Sequence, residues 1–269
     1  LESVRTIRQQ MAPHLALGIW NDLRLISTNQ QYPWEQTQHT TPLSDDNRKL
    51  LRTRWNLGLW NGIGFLFSSS TEEAKATIDQ IKRHIEPHVR HFAVFNTIPA
   101  EMLSSFTMYL PGIPSNRFTA SLYWRKTSFV PQEIDPDRDL CGFIWCDIIT
   151  PFTKDDIECV IRIVEKITTD YKFEPNIGMP YLDSRCAYIT IAVIYDRSLA
   201  DEDTNARLCV QSIQQEIKQK GYAFSRLDIN SMSLLEDTEA TYSEFLTLIK
   251  QSIDPNNIMA PNRYIPASK

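Results

Sequence analysis

Gly142-Phe143-Ile144-Trp145-Cys146-Asp147-Ile148-Ile149 is a short, dense run of aromatic and branched residues, which reads as a buried strand. The segments C-terminal to it set the fold class. Residues 154–169 place Ile157, Ile161 and Val164 on one face of a helix. Tyr188 to Tyr195 is a β-branched strand. Residues 201–220 read as a second helix, with Gly221 at the position just past its end where glycine is favoured. Tyr222 to Ile229 reads as another strand.

The first half repeats this plan. Ser44-Asp45-Asp46 has the composition of a helix start, and the helix runs to about Trp55. Residues 62–68 form an apolar strand. Thr71-Glu72-Glu73 opens a helix whose Ala74, Ile78, Ile81 and Ile85 make one apolar stripe, and His91 to Asn96 reads as the next strand. A short helix is expected from Glu2 to Met11, and a last one from Tyr242 to Ile253. The expectation is an α+β fold: duplicated strand-helix-strand units forming an antiparallel sheet covered by helices, with a C-terminal helical segment. The proline-rich connection from Asn96 to Leu140 is long enough to carry function or wrap a partner.

Composition narrows the function classes. Hydrophobic residues make up 42% and charged residues 23% of 269, an ordinary globular balance. The net charge of -5, with no basic stripe, argues against nucleic acid. No apolar run is long enough to span a bilayer, which argues against a membrane protein. Five scattered cysteines with no CxxC pair read as buried thiols in a reducing compartment, and the expected location is cytoplasmic. The chain begins at Leu1 without a leader or an initiator methionine, which suggests a piece or a processed product.

The motifs that could carry chemistry are sparse. His84, His88 and His91 have helical spacing for a metal, but Pro87 interrupts the helix and no further ligand is near in sequence. Asp135, Asp137 and Asp139 mimic the start of a calcium loop, yet Leu140 stands where glycine is needed and Cys146 where glutamate is needed. Gly62-Ile63-Gly64 lacks the third glycine of a dinucleotide turn. There is no GxSxG, P-loop or HExxH. No metal is expected.

Three stretches carry a resemblance. They are Arg54-Trp55-Asn56-Leu57-Gly58-Leu59-Trp60-Asn61, Leu110-Pro111-Gly112-Ile113-Pro114-Ser115 and Asp254-Pro255-Asn256-Asn257-Ile258-Met259-Ala260-Pro261-Asn262-Arg263. In this order they resemble the C-terminal half of the vanillyl-alcohol oxidase and p-cresol methylhydroxylase family of FAD-linked oxidases. The resemblance spans roughly residues 1 to 266. It implies residues 1–222 as a cap, or substrate, domain and residues 223–269 as a segment returning to a flavin-binding domain. That domain, with its phosphate-cradling turns and its acidic base, is not in this chain. The implied cofactor is FAD, and the implied partners are a flavin-binding domain or chain and a small-molecule substrate, with a homo-oligomer possible. The implied activity is oxidation of a small aromatic alcohol or alkylphenol, held as an anion while hydride passes to flavin.

The resemblance also implies residue roles. Arg226 ends a stretch, Gly221 to Arg226, that resembles one closing in a phenolate-binding Tyr-Arg pair, with Ser225 in place of the tyrosine. Tyr188 and Ile189 replace a His-His pair, and Tyr188 would line the pocket. Arg263 matches a basic residue near the flavin, where a cation stabilises charge on the reduced ring, and Asn262 replaces a glycine. Covalent flavin attachment in the family implies Cys146 or Tyr123 as alternative anchors, with non-covalent FAD as the default. A non-catalytic module derived from such a cap, or a 2-hydroxy-acid-oxidising relative, remains open.

Overall fold

The computed structural model describes residues 4, 6, 15–27, 42–95, 117–126, 131–180, 185–235, 240–261 and 263–265. Its described strands form one six-stranded antiparallel sheet in the order β2-β1-β4-β5-β3-β6. The strands are β1 (Leu15–Asn21), β2 (Trp60–Leu66), β3 (Cys141–Pro151), β4 (Asn176–Pro180), β5 (Cys186–Asp196) and β6 (Ala223–Arg226). The helices are α1 (Asp22–Ser27), α2 (Asp45–Arg54), α3 (Thr71–Ile85), α4 (Arg117–Ser121), α5 (Lys154–Asp170), α6 (Glu202–Gln219) and α7 (Ala240–Ile253). The expected α+β class, antiparallel sheet and C-terminal helix are all present.

The longest ladder joins β3 to β5, in register from Cys141 opposite Asp196 to Pro151 opposite Cys186. Alternation along these strands divides the residues between two faces. Cys146, Ile148, Ile189, Ile191 and Val193 belong to the main core, with Val160 and Val164 of α5 and Val210 and Ile213 of α6. Each fully buried aliphatic side chain contributes about 1.5–3 kcal/mol. The opposite face carries Phe143, Trp145 and Asp147 from β3, with Tyr188, Thr190 and Ile194 from β5. Only part of it is covered: Ile194 and Phe143 pack with Leu23 and Ile26 of α1, Leu51 of α2 and Trp124.

Local chemistry sets the helix starts. The Ser44 hydroxyl accepts from the Asn47 amide at 3.3 Å, and Thr153 accepts from the Asp156 amide at 3.2 Å. Such caps are worth about 1 kcal/mol each. Helix α3 begins at Thr71 as expected, but its cap is Ser70, which accepts from the Glu73 amide at 3.1 Å while Glu73 reaches back to the Ser69 amide at 3.1 Å. Gly221 has φ of +78°, the left-handed conformation expected of its position beyond α6.

Several expectations are corrected. Residues 91–95 form no strand. His91, Val94 and Phe95 are exposed and no strand among the described residues pairs with them, so propensity alone does not suffice. The strand expected over Tyr222–Ile229 is only Ala223–Arg226, because Ile229 begins a 3-10 helix to Leu235. Strands β1 and β4 have no counterpart among the expected elements. In β4, Gly178 and Pro180 depress strand propensity, yet its pairing with β1 and β5 places it inside the sheet. Helix α3 ends at Ile85 and Glu86–His88 turn as 3-10, consistent with an interruption at Pro87. The motif Leu110–Ser115, Asn262, and all but residues 4 and 6 of the expected N-terminal helix lie outside the described residues. No described helix is long and apolar enough to cross a membrane.

Candidate functional site

Asp147 sits in the middle of β3, on the face away from α5 and α6. It is 6% exposed, an unusual place for a carboxylate. The Tyr188 hydroxyl donates to its Oδ2 at 2.8 Å. Its other oxygen, Oδ1, is buried and meets no donor among the described residues. A buried acceptor left in this state costs about 1–3 kcal/mol until something supplies a hydrogen.

Arg226 is the cross-strand neighbour of Asp147 on β6. The β3–β6 register slips here: Asp147 opposes Arg226, but Ile148 opposes Phe224. Ser225 is therefore the extra residue of a bulge, a device that re-aims side chains beside sites. In a regular strand Ser225 and Arg226 would point to opposite faces. Here both act on Tyr188. Burial, then the bond to Asp147, hold the Tyr188 hydroxyl above its usual range, while the Ser225 hydroxyl and the Arg226 charge pull it down. Arg226 is exposed and has no ion-pair partner among the described residues.

Aromatic side chains extend the same face. Trp145 stacks on Phe118 of α4 with centroids 5.8 Å apart, and Phe143 meets the Trp145 ring edge-on at 4.7 Å. The Arg24 guanidinium of α1 lies 4.7 Å from the Trp145 centroid and donates to Asn176 Oδ1 at 3.2 Å.

The C-terminal turn comes back to this neighbourhood. Asp254 ties it together by accepting from the Ile258 amide at 2.9 Å and the Met259 amide at 2.8 Å, and it pairs with Lys250. The Tyr264 hydroxyl then accepts from the Leu227 amide at 3.2 Å and also contacts the Leu227 carbonyl at 3.4 Å. Arg263 therefore lies on a segment clasped to the residue next to Arg226. Its guanidinium is exposed, 5.9 Å from the ring of its neighbour Tyr264.

The other two expected residues stand elsewhere. Cys146 is on the opposite face of β3, 2% exposed inside the main core, and burial pushes its thiol far above the usual range. Tyr123 is 1% exposed. Its hydroxyl donates to Asp139 and accepts from the Asp135 amide at 3.0 Å, so burial first and Asp139 second raise it well above an ordinary phenol. That contact also explains Asp135 to Asp139: Tyr123 anchors the loop, and Arg197 holds Asp137 at 2.7 Å. Among the described residues no group of three His, Cys, Asp or Glu side chains could hold a metal.

No family model matches the chain. It is 33% identical to 1'-carboxy-chondrochloren decarboxylase of Chondromyces crocatus, an alignment that covers 97% of this chain and 52% of the relative. It is 29% identical to the 4-cresol dehydrogenase [hydroxylating] flavoprotein subunit of Pseudomonas putida, over 38% of this chain and 19% of that protein. The fold matches p-cresol methylhydroxylase with substrate bound, with a TM-score of 0.78 at 16% identity, over 98% of this chain and 49% of that one. It also matches 4-ethylphenol oxidase from Gulosibacter chungangensis in its isoeugenol complex, with a TM-score of 0.80 at 14% identity, over 98% of this chain and 50% of that one. The relatives and structural neighbours include flavoproteins of the p-cresol methylhydroxylase and vanillyl-alcohol oxidase type, and this chain shares the fold of about half of such a protein. It spans about half the length of the decarboxylase that it matches nearly end to end.

The flavin cofactor of such proteins can be compared with the groups that this face presents. Arg226 is exposed on this face, whereas Asp147 Oδ1 is buried beneath it. A pyrophosphate needs convergent backbone amides at a glycine turn, and Gly62 and Gly64 are instead committed to the β1–β2 ladder. Gly62 and Gly64 therefore offer no cradle for the dinucleotide tail. The resemblance names Arg226, Tyr188 and Arg263 but not Asp147. A lone carboxylate in the otherwise apolar β3 run is the available signal.

Proposed function

We propose that this chain is the substrate-side half of an FAD-dependent oxidoreductase acting on a small aromatic alcohol or alkylphenol. Residues 1–222 serve as the cap and residues 223–269 return to a flavin-binding domain or chain. The observation that supports this best is the Asp147, Tyr188, Ser225 and Arg226 cluster on the partly open face of the sheet.

Bound FAD would supply the acceptor for hydride from the benzylic carbon. The chain's own residues do the rest. Arg226 lies against the substrate oxygen and stabilises negative charge there. Tyr188 lines the pocket and keeps Asp147 oriented. Arg263, carried beside Arg226 by the Tyr264 clasp, supplies a second cation on the flavin side. Neither Cys146 in its core position nor Tyr123 in its loop contact is open to a flavin ring, so FAD is held non-covalently in this reading. Acid precipitation of the complete flavoprotein tests that point: all yellow colour should leave with the supernatant. Addition of 4-methylphenol should bleach the bound flavin.

A second reading is favoured by the relative named a decarboxylase. In it Arg226 holds a substrate carboxylate, and oxidation is coupled to its loss. Carbon dioxide released from 4-hydroxymandelate in step with flavin reduction would select this reading over simple alcohol oxidation.

A further inference from the structure

We propose that the outer edge of β2 is an interface between two copies of this chain, which pair antiparallel about a two-fold axis at Ile63 and join their six-stranded sheets into one. This interface is independent of the proposed flavin site.

Strand β2 ends the sheet in the order β2-β1-β4-β5-β3-β6, so β1 covers only one of its sides. The Asp22 amide donates to the Leu59 carbonyl at 3.0 Å, and that pair continues the β1–β2 register. Residues 59, 61, 63 and 65 therefore spend their backbone groups on β1, and those of Trp60, Gly62, Gly64 and Leu66 point outward. Among the described residues no backbone group pairs with that outward row, and no residue of β2 is buried.

Sheets guard such an edge with charge, proline, a bulge or shortness. At the opposite end β6 has four residues, a bulge and Arg226. Strand β2 has seven residues in unbroken register, and no charged side chain or proline occurs from Trp55 to Ser70. Gly62 points the same way. Its φ is not positive, and a Cβ there would meet nothing nearer than the Gly18 carbonyl oxygen at 4.0 Å. One chain folded alone has no need of glycine at this position, whereas a second backbone closing on the edge does.

The side-chain pattern selects a second copy as the occupant. With Ile63 opposite itself, Trp60 faces Leu66 of the second copy and Gly62 faces Gly64, all on one face of the sheet. On the other face Leu59 meets Phe67 and Asn61 meets Phe65. Leu59 and Phe67 are 58% and 53% exposed in the single chain, and the pairing covers both. Displacing the register by two residues in either direction sets Trp60 or Leu66 against glycine. Charge agrees with this choice. A two-fold axis brings each charge near the edge toward its own kind, and like charges opposite each other destabilise a sheet. The uncharged stretch removes that cost for a copy and offers a charged partner no complement.

Light scattering should find two copies per particle at micromolar concentration, both for this chain alone and for the flavoprotein assembled with its flavin-binding half. Ile63→Cys should link to its own copy under mild oxidation. A non-hydrogen-bonded antiparallel pair holds its Cα atoms about 4.5 Å apart, within reach of a disulfide. Leu59→Cys and Phe67→Cys, both at exposed positions, should link to each other when mixed and neither to itself, which serves if Ile63→Cys fails to fold. The wild type, with its five free cysteines, is the baseline. A monomeric wild type overturns the proposal. Dimers that lack these links, or in which Leu59→Cys links to itself, overturn the pairing at β2. Dimers that separate when the flavin-binding half is added also overturn it, and assign the edge to that half.

Discussion

The Tyr188 hydroxyl donates to Asp147 Oδ2 at 2.8 Å, so a side chain that the sequence marks as a histidine replacement serves to orient a carboxylate. A histidine there would bring a group that titrates near neutral pH. Tyr188 is instead held protonated by burial and by Asp147. The polar centre of this face has one fixed donor, one oriented acid and one guanidinium.

Ser225 occupies the bulge position where the family resemblance calls for tyrosine. Ser225→Tyr is expected to lower KM for 4-methylphenol by several-fold, since one added hydrogen bond contributes about 0.5–1.5 kcal/mol. Steady-state kinetics on the flavoprotein reads this directly. An unchanged or raised KM would mean that the bulge does not turn residue 225 toward the substrate oxygen.

Cys146 faces the core formed with α5 and α6. Cys146→Ser is expected to destabilise the fold by about 1–3 kcal/mol through a buried hydroxyl without a partner, while flavin content per mole stays unchanged. Denaturant midpoints and acid-released flavin measure the two. Loss of bound flavin with full stability would return Cys146 to the cofactor.

The parts of this site are legible in the sequence to different degrees. Arg226 and Tyr188 stand out by resemblance, and Gly221 by the ordinary chemistry of helix ends. Asp147 is visible only as an anomaly, a charge inside an apolar strand. The bulge is not legible, because a register slip is a property of two strands and no residue of 223–226 announces it. Cys146 shows the same difficulty from the other side: parity along a strand decides the face, and counting back across gaps gives no parity. Strand β4 escapes a sequence reading because its glycine and proline outweigh its pattern. Residues 91–95 invite the opposite error, because strand-forming residues still need a neighbour to pair with.

Gly221 has φ of +78° and open space where a Cβ would stand. Gly221→Ala therefore tests backbone conformation without steric clash. The expected loss is about 1 kcal/mol, read from thermal or denaturant unfolding. A neutral result would indicate that the turn beyond α6 relaxes to negative φ.

Asp254 anchors the C-terminal turn, and Lys250 foremost, with the Ile258 and Met259 amides, holds its carboxyl below the usual range against the opposing effect of burial. Its folded-state pKa is depressed, so its contribution is present above the ordinary aspartate range and is lost as pH falls through the folded value. Amide exchange at Ile258 and Met259 should thus accelerate in acid before the β3–β5 ladder opens. Asp254→Asn should show that fast exchange already at neutral pH. Protection unchanged in the variant would assign the turn to other contacts.

In the proposed site, Arg226 stands beside Asp147 and Tyr188 and faces the substrate of a flavoprotein. Stopped-flow reduction of the bound flavin by 4-methylphenol, comparing wild type with Arg226→Ala at matched flavin content, tests this most directly. The expected result is rapid bleaching in the wild type and a rate lower by about one to two orders of magnitude in the variant, the worth of a hydrogen bond to a charged group. Equal rates in the two proteins would contradict it.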